Sequence, residues 1–271
     1  MNPPACPVCG SSPRPTPYYQ SPAWTILQCS RCTFAWIPDS DHAAASTGFT
    51  WSSDVVSESA KRMSLYEDRF RRIDALAPNP RTWLDVGCGG GGMLTCAAQH
   101  GFGVEGIELA PSAAIIATEL GIPVHTKVLA ESVSQLRHGP YGVVSYFHVL
   151  EHIRDPRAEL VKAGSVLGPK GVLAIEVPYF GTLSWRVPGW KHRHNSPDHR
   201  SYFDPQSLSE LLRQTGYAVI RWQKVPHYMS LGWLLFRLKL ERLGRVLPRG
   251  VTDRPIRVDL NDILLVMASR A

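Results

Sequence analysis

The chain has 271 residues, 44% of them apolar, enough for one sizeable core and a small appendage. No run reaches the roughly 18 apolar residues of a membrane span and no basic-then-apolar leader opens the chain, which reads as a cytoplasmic protein. The net charge of +6 resides from Arg221 onward, where ten Lys/Arg face four Asp/Glu; such a tail is either a solvated face or a contact for an anionic partner.

Four of the six cysteines fall in Cys6-Pro7-Val8-Cys9-Gly10 and Cys29-Ser30-Arg31-Cys32. Each pair forms a tight knuckle that presents two thiolates, and the nineteen residues between Cys9 and Cys29 suffice for a hairpin carrying Tyr18, Tyr19 and Trp24. Residues 1–40 therefore read as a zinc ribbon in a reducing compartment, with Cys6, Cys9, Cys29 and Cys32 holding a structural Zn2+ that has no open position for chemistry. Metal ligation supplies the folding energy that some forty proline-rich residues lack in their own core. Residues 41–80 read as a linker, rich in Ser, Ala, Thr and Gly, followed by a helix over 55–76. Its apolar face is Met63, Tyr66, Phe70, Ile73 and Leu76, with Arg and Glu on the other, and Pro78 and Pro80 end it.

The stretch Trp83-Leu84-Asp85-Val86-Gly87-Cys88-Gly89-Gly90-Gly91-Gly92 reads as a buried strand, a glycine turn and a helix beginning near Met93. Glycines let a ligand lie against the backbone at a helix N-terminus. Gly87, Gly89 and Gly92 also satisfy the dinucleotide fingerprint, with Glu108 at the distance of a ribose contact. Asp85 tilts the choice, because a carboxylate facing the pocket repels a pyrophosphate and suits a cationic amine or sulfonium. Leu84-Asp85-Val86-Gly87-Cys88-Gly89-Gly90-Gly91 resembles the first motif of class I S-adenosylmethionine-dependent methyltransferases. That resemblance implies a Rossmann-like α/β fold, a seven-stranded sheet with helices on both faces over residues 81–271, and S-adenosylmethionine as cofactor. It also implies that the preceding helix helps cover the cofactor, and that Asp85, Gly87, Gly89 and Gly91 hold it.

The second strand, 101–108, ends in Glu108, placed to receive two ribose hydroxyls, with Leu109 beside it. A helix over 112–120 and a short strand at 124–128 lead to Leu129-Ala130-Glu131-Ser132, where the resemblance implies that the adenine ring lies, against Ala130. Residues 141–152 run from an apolar strand into His148-Val149-Leu150-Glu151-His152, which resembles the fourth-strand motif of a methyltransferase subgroup acting largely on small molecules, with Gly142 in place of its usual aspartate. His148, at the edge of an open parallel sheet, can contact the methionine part of the cofactor or take a proton from the acceptor. Glu151 and His152 also read as the start of a helix.

A helix over 156–167, a Gly168-Pro169-Lys170-Gly171 turn and a strand over 172–178 follow. The aromatic segment 179–203 carries Trp185, Trp190, His192, His194, His199 and Tyr202, the composition of a loop that covers or selects a substrate. The spacing of its histidines matches no common metal pattern. In the subgroup resembled, a histidine shortly before an aromatic residue corresponds to His199 and Tyr202-Phe203, which makes His199 the acceptor-side acid/base. A helix over 207–215 and strands at 217–222 and 262–268 follow, and the resemblance implies that the last strand inserts antiparallel between the fifth and sixth, as in the methyltransferase sheet. Between those strands lies a basic amphipathic insertion at 226–258. Its central part, 231–247, reads as a lid, a dimer contact or an anionic membrane-surface contact.

The sequence thus points to methyl transfer onto a small-molecule acceptor, a sugar, lipid or secondary metabolite, at oxygen or carbon with a histidine base. An RNA substrate is the less favoured alternative, because the ribbon carries only Arg14 and Arg31 before Asp39; a non-catalytic recruitment module is the third.

Overall fold

The computed structural model describes residues 5–11, 15–41, 63–110, 115, 119–182, 185, 194–237, 240 and 247–271. The first strands, β1 (Thr16–Gln20), β2 (Thr25–Gln28) and β3 (Ala35–Trp36), form an antiparallel meander. Helix α1 (Met63–Asp74) precedes β4 (Thr82–Val86), α2 (Gly92–Gln99), β5 (Gly103–Ile107) and β6 (Val124–His125). Then come the single turn α3 (Leu129–Ser132), β7 (Tyr141–Phe147), α4 (Pro156–Val166) and β8 (Leu167–Pro178). The chain continues through β9 (Ser201–Tyr202), α5 (Pro205–Gln214), β10 (Tyr217–Lys224) and β11 (His227–Ser230). It closes with α6 (Leu231–Arg237), α7 (Arg249–Thr252), β12 (Pro255–Val258) and β13 (Ile263–Arg270).

The main sheet has the order β10-β13-β8-β7-β4-β5-β6. Its strands are parallel from β8 to β6, and β13 inserts antiparallel between β8 and β10, the arrangement expected from the final strand pair. Helix starts are capped by side chains that the sequence supplies locally: Asp155 accepts from the Ala158 amide, and Asp204 and Ser207 form a reciprocal capping box, each ahead of a proline in the first turn. Because β13 runs backwards, its first residues meet the C-terminal end of β8, with Ile263 opposite Pro178. Asp262 therefore joins the sheet edge where β4, β5 and β7 also end.

Several expected elements shift. The strand expected at 172–178 begins at Leu167, which pairs with Tyr141 before a register shift; β6 is only two residues long. The helix expected over 55–76 is described from Met63, its earlier residues lying outside the described region, as does most of the helix expected at 112–120. Of the stretch 231–247, α6 is described and Leu235 is buried, whereas residues 238–239 and 241–246 lie outside the described residues. Among the described residues, no helix is long and apolar enough to cross a membrane.

The N-terminal meander does not stand apart from the sheet domain. Strand β3 pairs with β9, Ala35 opposite Tyr202 and Trp36 opposite Ser201, so a segment from the aromatic loop completes a four-stranded sheet. Phe34 stacks on Trp36 and packs on Phe203, and Tyr18 lies 4.6 Å from the Phe180 ring. Val8, Cys6, Cys29 and Cys32 belong to the same apolar cluster as Leu150 and Tyr146 of the main domain.

Helix α1 carries one residue that its sequence pattern places on the wrong face. Arg69 falls at helical spacing with Phe70 and Ile73 and is 2% exposed, its guanidinium donating to Glu176 Oε2 on β8 and to the Pro226 carbonyl. Opening such a buried pair from one side leaves an uncompensated charge. Arg69→Met is expected to lower stability in urea unfolding by about 3–5 kcal/mol, and Arg69→Met combined with Glu176→Leu to recover most of that loss.

Candidate functional site

The glycine turn behaves as its composition requires. Gly87, Gly89 and Gly91 all have positive φ, 74°, 50° and 69°, a region closed to most side chains, and Gly91 caps α2. Gly87 donates to the Ile107 carbonyl, which ties the turn to β5. A side chain at Gly87 would strike Val149, whose Cγ2 lies 2.3 Å from where a Cβ would stand; at Gly92 it would strike the Tyr66 ring of α1, at 2.1 Å. The turn is thus flanked by the motif after β7 on one side and by the covering helix on the other.

Both acids read from the sequence attend this turn. Glu108 accepts from the Gly89 amide through Oε2 and from the Ala110 amide through Oε1, both at 2.8 Å, so each oxygen keeps a lone pair for a further donor such as a sugar hydroxyl. Asp85 is 3% exposed and accepts from Ser145 Oγ at 2.6 Å; that hydroxyl also receives the Trp83 indole N–H. Burial, reinforced by the neighbouring Glu108 charge and only partly offset by the Ser145 hydrogen bond, pushes the Asp85 carboxyl up to about 7. Two acids this close, one of them held back from full ionisation, make a site that gains from a cationic guest. Leu109 is 63% exposed directly after Glu108, and Ala130 lies exposed on α3 after β6, on the neighbouring strand-end loops.

The other half of the cleft is built on β7 and β8. His148 follows β7 with φ 57°, a strained conformation for a residue with a side chain, and its amide donates to the Glu176 carbonyl. Its ring is 41% exposed, with Nδ1 3.4 Å from Glu151 and Nε2 3.2 Å from Glu176. Desolvation opposes charge on this ring, but the two carboxylates outweigh it and hold the pKa up at about 10. Glu176 is in turn held down at about 2: burial opposes ionisation, and Arg69 and His148 overcome it. His148 is therefore an imidazolium at neutral pH, with both nitrogens turned to carboxylates.

His199 has the opposite character. Burial and the neighbouring His152 and His148 drive its pKa down to about 4 against the pull of Glu151, so it is neutral and retains a lone pair. Its Nδ1 is buried without a hydrogen-bond partner, and the buried Glu151 carboxylate beside it has the His148 ring as its ion-pair partner. Glu151, His152 and His199 offer ligand atoms within 4.8 Å of one another. The loop bearing His199 is fixed by the Arg200 amide donating to the Glu151 carbonyl and the Ile37 amide donating to the Arg200 carbonyl, which links this loop to the N-terminal meander. His152 turns outward and meets the Asp198 carbonyl. Trp190 and His192 lie outside the described residues.

Sequence reasoning missed Arg69, Glu151 and Glu176 as parts of this network. The available signal was a lone glutamate inside the apolar run 172–178 and an arginine at core spacing on a helix.

In the N-terminal unit the four cysteines converge. Cys6 and Cys32 Sγ are 3.5 Å apart, Cys9 and Cys29 Sγ 3.7 Å, and all four lie within 4.8 Å of one another. Tetrahedral thiolate ligation at about 2.3 Å requires sulfur separations of about 3.8 Å, so the donor set fits zinc. The knuckles are built alike: the Gly10 amide donates to the Cys6 carbonyl and the Thr33 amide to the Cys29 carbonyl, with φ of 67° and 63° at the residue after each second cysteine.

A family model described as a methyltransferase domain matches residues 59–221. The chain belongs to this family of class I S-adenosylmethionine-dependent methyltransferases. Among curated relatives, ubiquinone biosynthesis O-methyltransferase of Idiomarina loihiensis is 30% identical over 150 residues, covering 51% of this chain and 60% of that one. The protein of the same name from Hydrogenovibrio crunogenus is 29% identical over 158 residues, covering 50% and 61%. The chain thus spans about three fifths of the length of these relatives. A SAM-dependent methyltransferase from Archaeoglobus fulgidus shares the fold, with a TM-score of 0.54 at 18% identity over 81% of this chain and all of that one.

An acid with a pKa of about 7 beside the turn makes binding of a cation pH-dependent. Below that value the site must lose a proton to receive positive charge, so S-adenosylmethionine affinity in calorimetry is expected to rise roughly tenfold per pH unit up to about pH 7 and then level off. Asp85→Asn should flatten the profile and weaken binding.

Proposed function

We propose that the protein transfers the methyl group of S-adenosylmethionine to an oxygen or carbon of a small-molecule acceptor, with His199 as general base. The observation that carries this reading is the pairing of two acids around a left-handed glycine turn with a neutral, half-buried histidine in the loop facing the same sheet edge. When bound, the cofactor supplies an electrophilic methyl group on a sulfonium. Asp85 would hold its amine, Glu108 its ribose hydroxyls, and Leu109 and Ala130 its adenine. Gly87, Gly89 and Gly91 admit it to the backbone.

Of the two histidines that the sequence leaves open for proton abstraction, the charges favour His199. His148 already carries its proton and serves the cleft as a fixed positive charge between Glu151 and Glu176. Glu151, which pairs with His148 through one oxygen, is the positioning residue for His199, offering an oxygen within 4.8 Å of a nitrogen of that ring. The name shared by the curated relatives supports an oxygen acceptor on a small molecule.

In the ribbon, the four cysteines would hold a structural zinc ion whose work is to fix β3, and through β9 the loop that carries His199.

Labelled methyl transfer to a panel of phenolic, quinol, sugar and keto acceptors tests the reaction; absence of both cofactor binding and turnover would overturn it. With a responsive acceptor, His199→Ala is expected to lower kcat by about 10²–10⁴ while cofactor affinity changes less than about twofold. Cys29→Ser, or removal of zinc by a chelator, is expected to depress acceptor turnover far more than cofactor affinity. Equal losses of both would argue that the ribbon supports the whole fold instead.

A further inference from the structure

One cluster beside the cleft has no part in the reaction above. His194 comes from the aromatic loop, His227 is the first residue of β11 at the entrance to the insertion, and Asp262 immediately precedes β13. The three side chains, from segments far apart in sequence, offer ligand atoms all within 4.8 Å of one another. His227 Nε2 lies 3.1 Å from Asp262 Oδ1, and His194 Nε2 lies 3.7 Å from Oδ2. The side chains of His194, His227 and Asp262 are 14%, 19% and 4% exposed.

We propose that His194, His227 and Asp262 form a second metal site, a two-histidine, one-carboxylate centre for a divalent transition-metal ion that binds an oxygen of the acceptor. Two imidazoles and a carboxylate are the donor set of zinc and non-haem iron centres that leave coordination positions open. Donors about 2.0–2.2 Å from one ion stand about 3.0–3.5 Å apart, close to the two separations observed. The backbone holds the carboxylate in place: the Tyr179 amide donates to the Asp262 carbonyl, and His227 is registered by its pairing with Val258. The hydrogen bond from Arg69 to the Pro226 carbonyl anchors the residue before His227.

Location gives the site its use. The His194 ring lies 6.4 Å from both the His148 and the His199 rings, so an ion there would sit one side chain away from the proposed base. A Lewis acid at that distance lowers the pKa of a hydroxyl or enol that it holds, which suits a weak neutral base such as His199. This explains why the histidines of the aromatic loop match no ligand spacing in sequence. Only one described histidine of that loop, His194, belongs to the centre, and its partners come from the insertion and the last strand.

The metal-binding half stands independently of methyl transfer; the acceptor half rests on that reading. The test uses the full chain, loaded with Co2+ and followed by elemental analysis and visible absorption. Wild type is expected to take up two equivalents, one with sulfur-to-cobalt charge-transfer bands and one with weak ligand-field bands alone. His227→Ala and Asp262→Asn should each weaken the second equivalent by more than about 100-fold, the upper end of what outer-shell changes cost, while the thiolate bands and circular dichroism stay unchanged. A single equivalent in wild type, or a second equivalent that survives both substitutions, overturns the site and leaves a hydrogen-bonded His–Asp–His cluster. Acetohydroxamate, a two-oxygen chelator, should shift the ligand-field bands of wild type; no shift overturns the acceptor half. S-adenosylmethionine affinity measured on the same samples reports separately on the methyltransferase reading.

Discussion

The carboxylate of Glu176 stands where the covering helix, the sheet and the cleft meet, and burying it is tolerable only because two cations reach it. Arg69 takes one oxygen and His148 the other. An ionised carboxylate without partners would cost several kcal/mol inside this sheet, so the position of α1 and the charge on His148 are consequences of the same requirement. Arg69 also holds the Pro226 carbonyl, which brings the start of the insertion to the same corner. The network fixes geometry and charge together: it presses Tyr66 of α1 against the glycine turn and keeps His148 protonated.

A division of labour between the histidines follows from the distribution of carboxylates. His148 faces two and stays charged; His199 is half-buried beside other imidazoles, where desolvation and those rings outweigh Glu151, and stays neutral. Asp85 shows the same logic with opposite sign. Its carboxyl lies in a buried place with one hydroxyl donor and a second acid nearby, and so holds its charge poorly until a cation arrives. This sheet edge thereby sets a place suited to a positive ligand on β4 and β5 against a fixed positive charge and a neutral imidazole on the β7 side.

The ribbon enters this arrangement through hydrogen bonds. Strand β3 pairs with β9, and the Ile37 amide binds the Arg200 carbonyl, so the residue after His199 is held by the ribbon on one side and by Glu151 on the other. The N-terminal unit with its four clustered cysteines thus becomes part of the support of the His199 loop. Much of this was written locally. The glycines at 87, 89 and 91, the caps Asp155 and Asp204 and the paired cysteines each act within a few residues of where they stand. The register shift at Tyr141 and the pairing of β3 with β9 were not legible, because strand partners are chosen by shape and burial over long sequence separations.

By itself the sequence determined the α/β alternation, the acid-flanked glycine turn and the paired cysteines, since periodicity, turn chemistry and ligand spacing are short-range properties; the antiparallel last strand followed only from the resemblance to the methyltransferase family. Tertiary structure alone decided the charge state of each cleft residue and the company it keeps. Arg69 looked like a surface cation and is the core partner of Glu176; His148 and His199 looked equivalent and differ by their neighbours; Asp262 and His227 carried no signal until β13 ran back to the sheet edge. The physical reason is that protonation and pairing depend on burial and on charges within a few ångströms, and those distances are set only when distant segments pack.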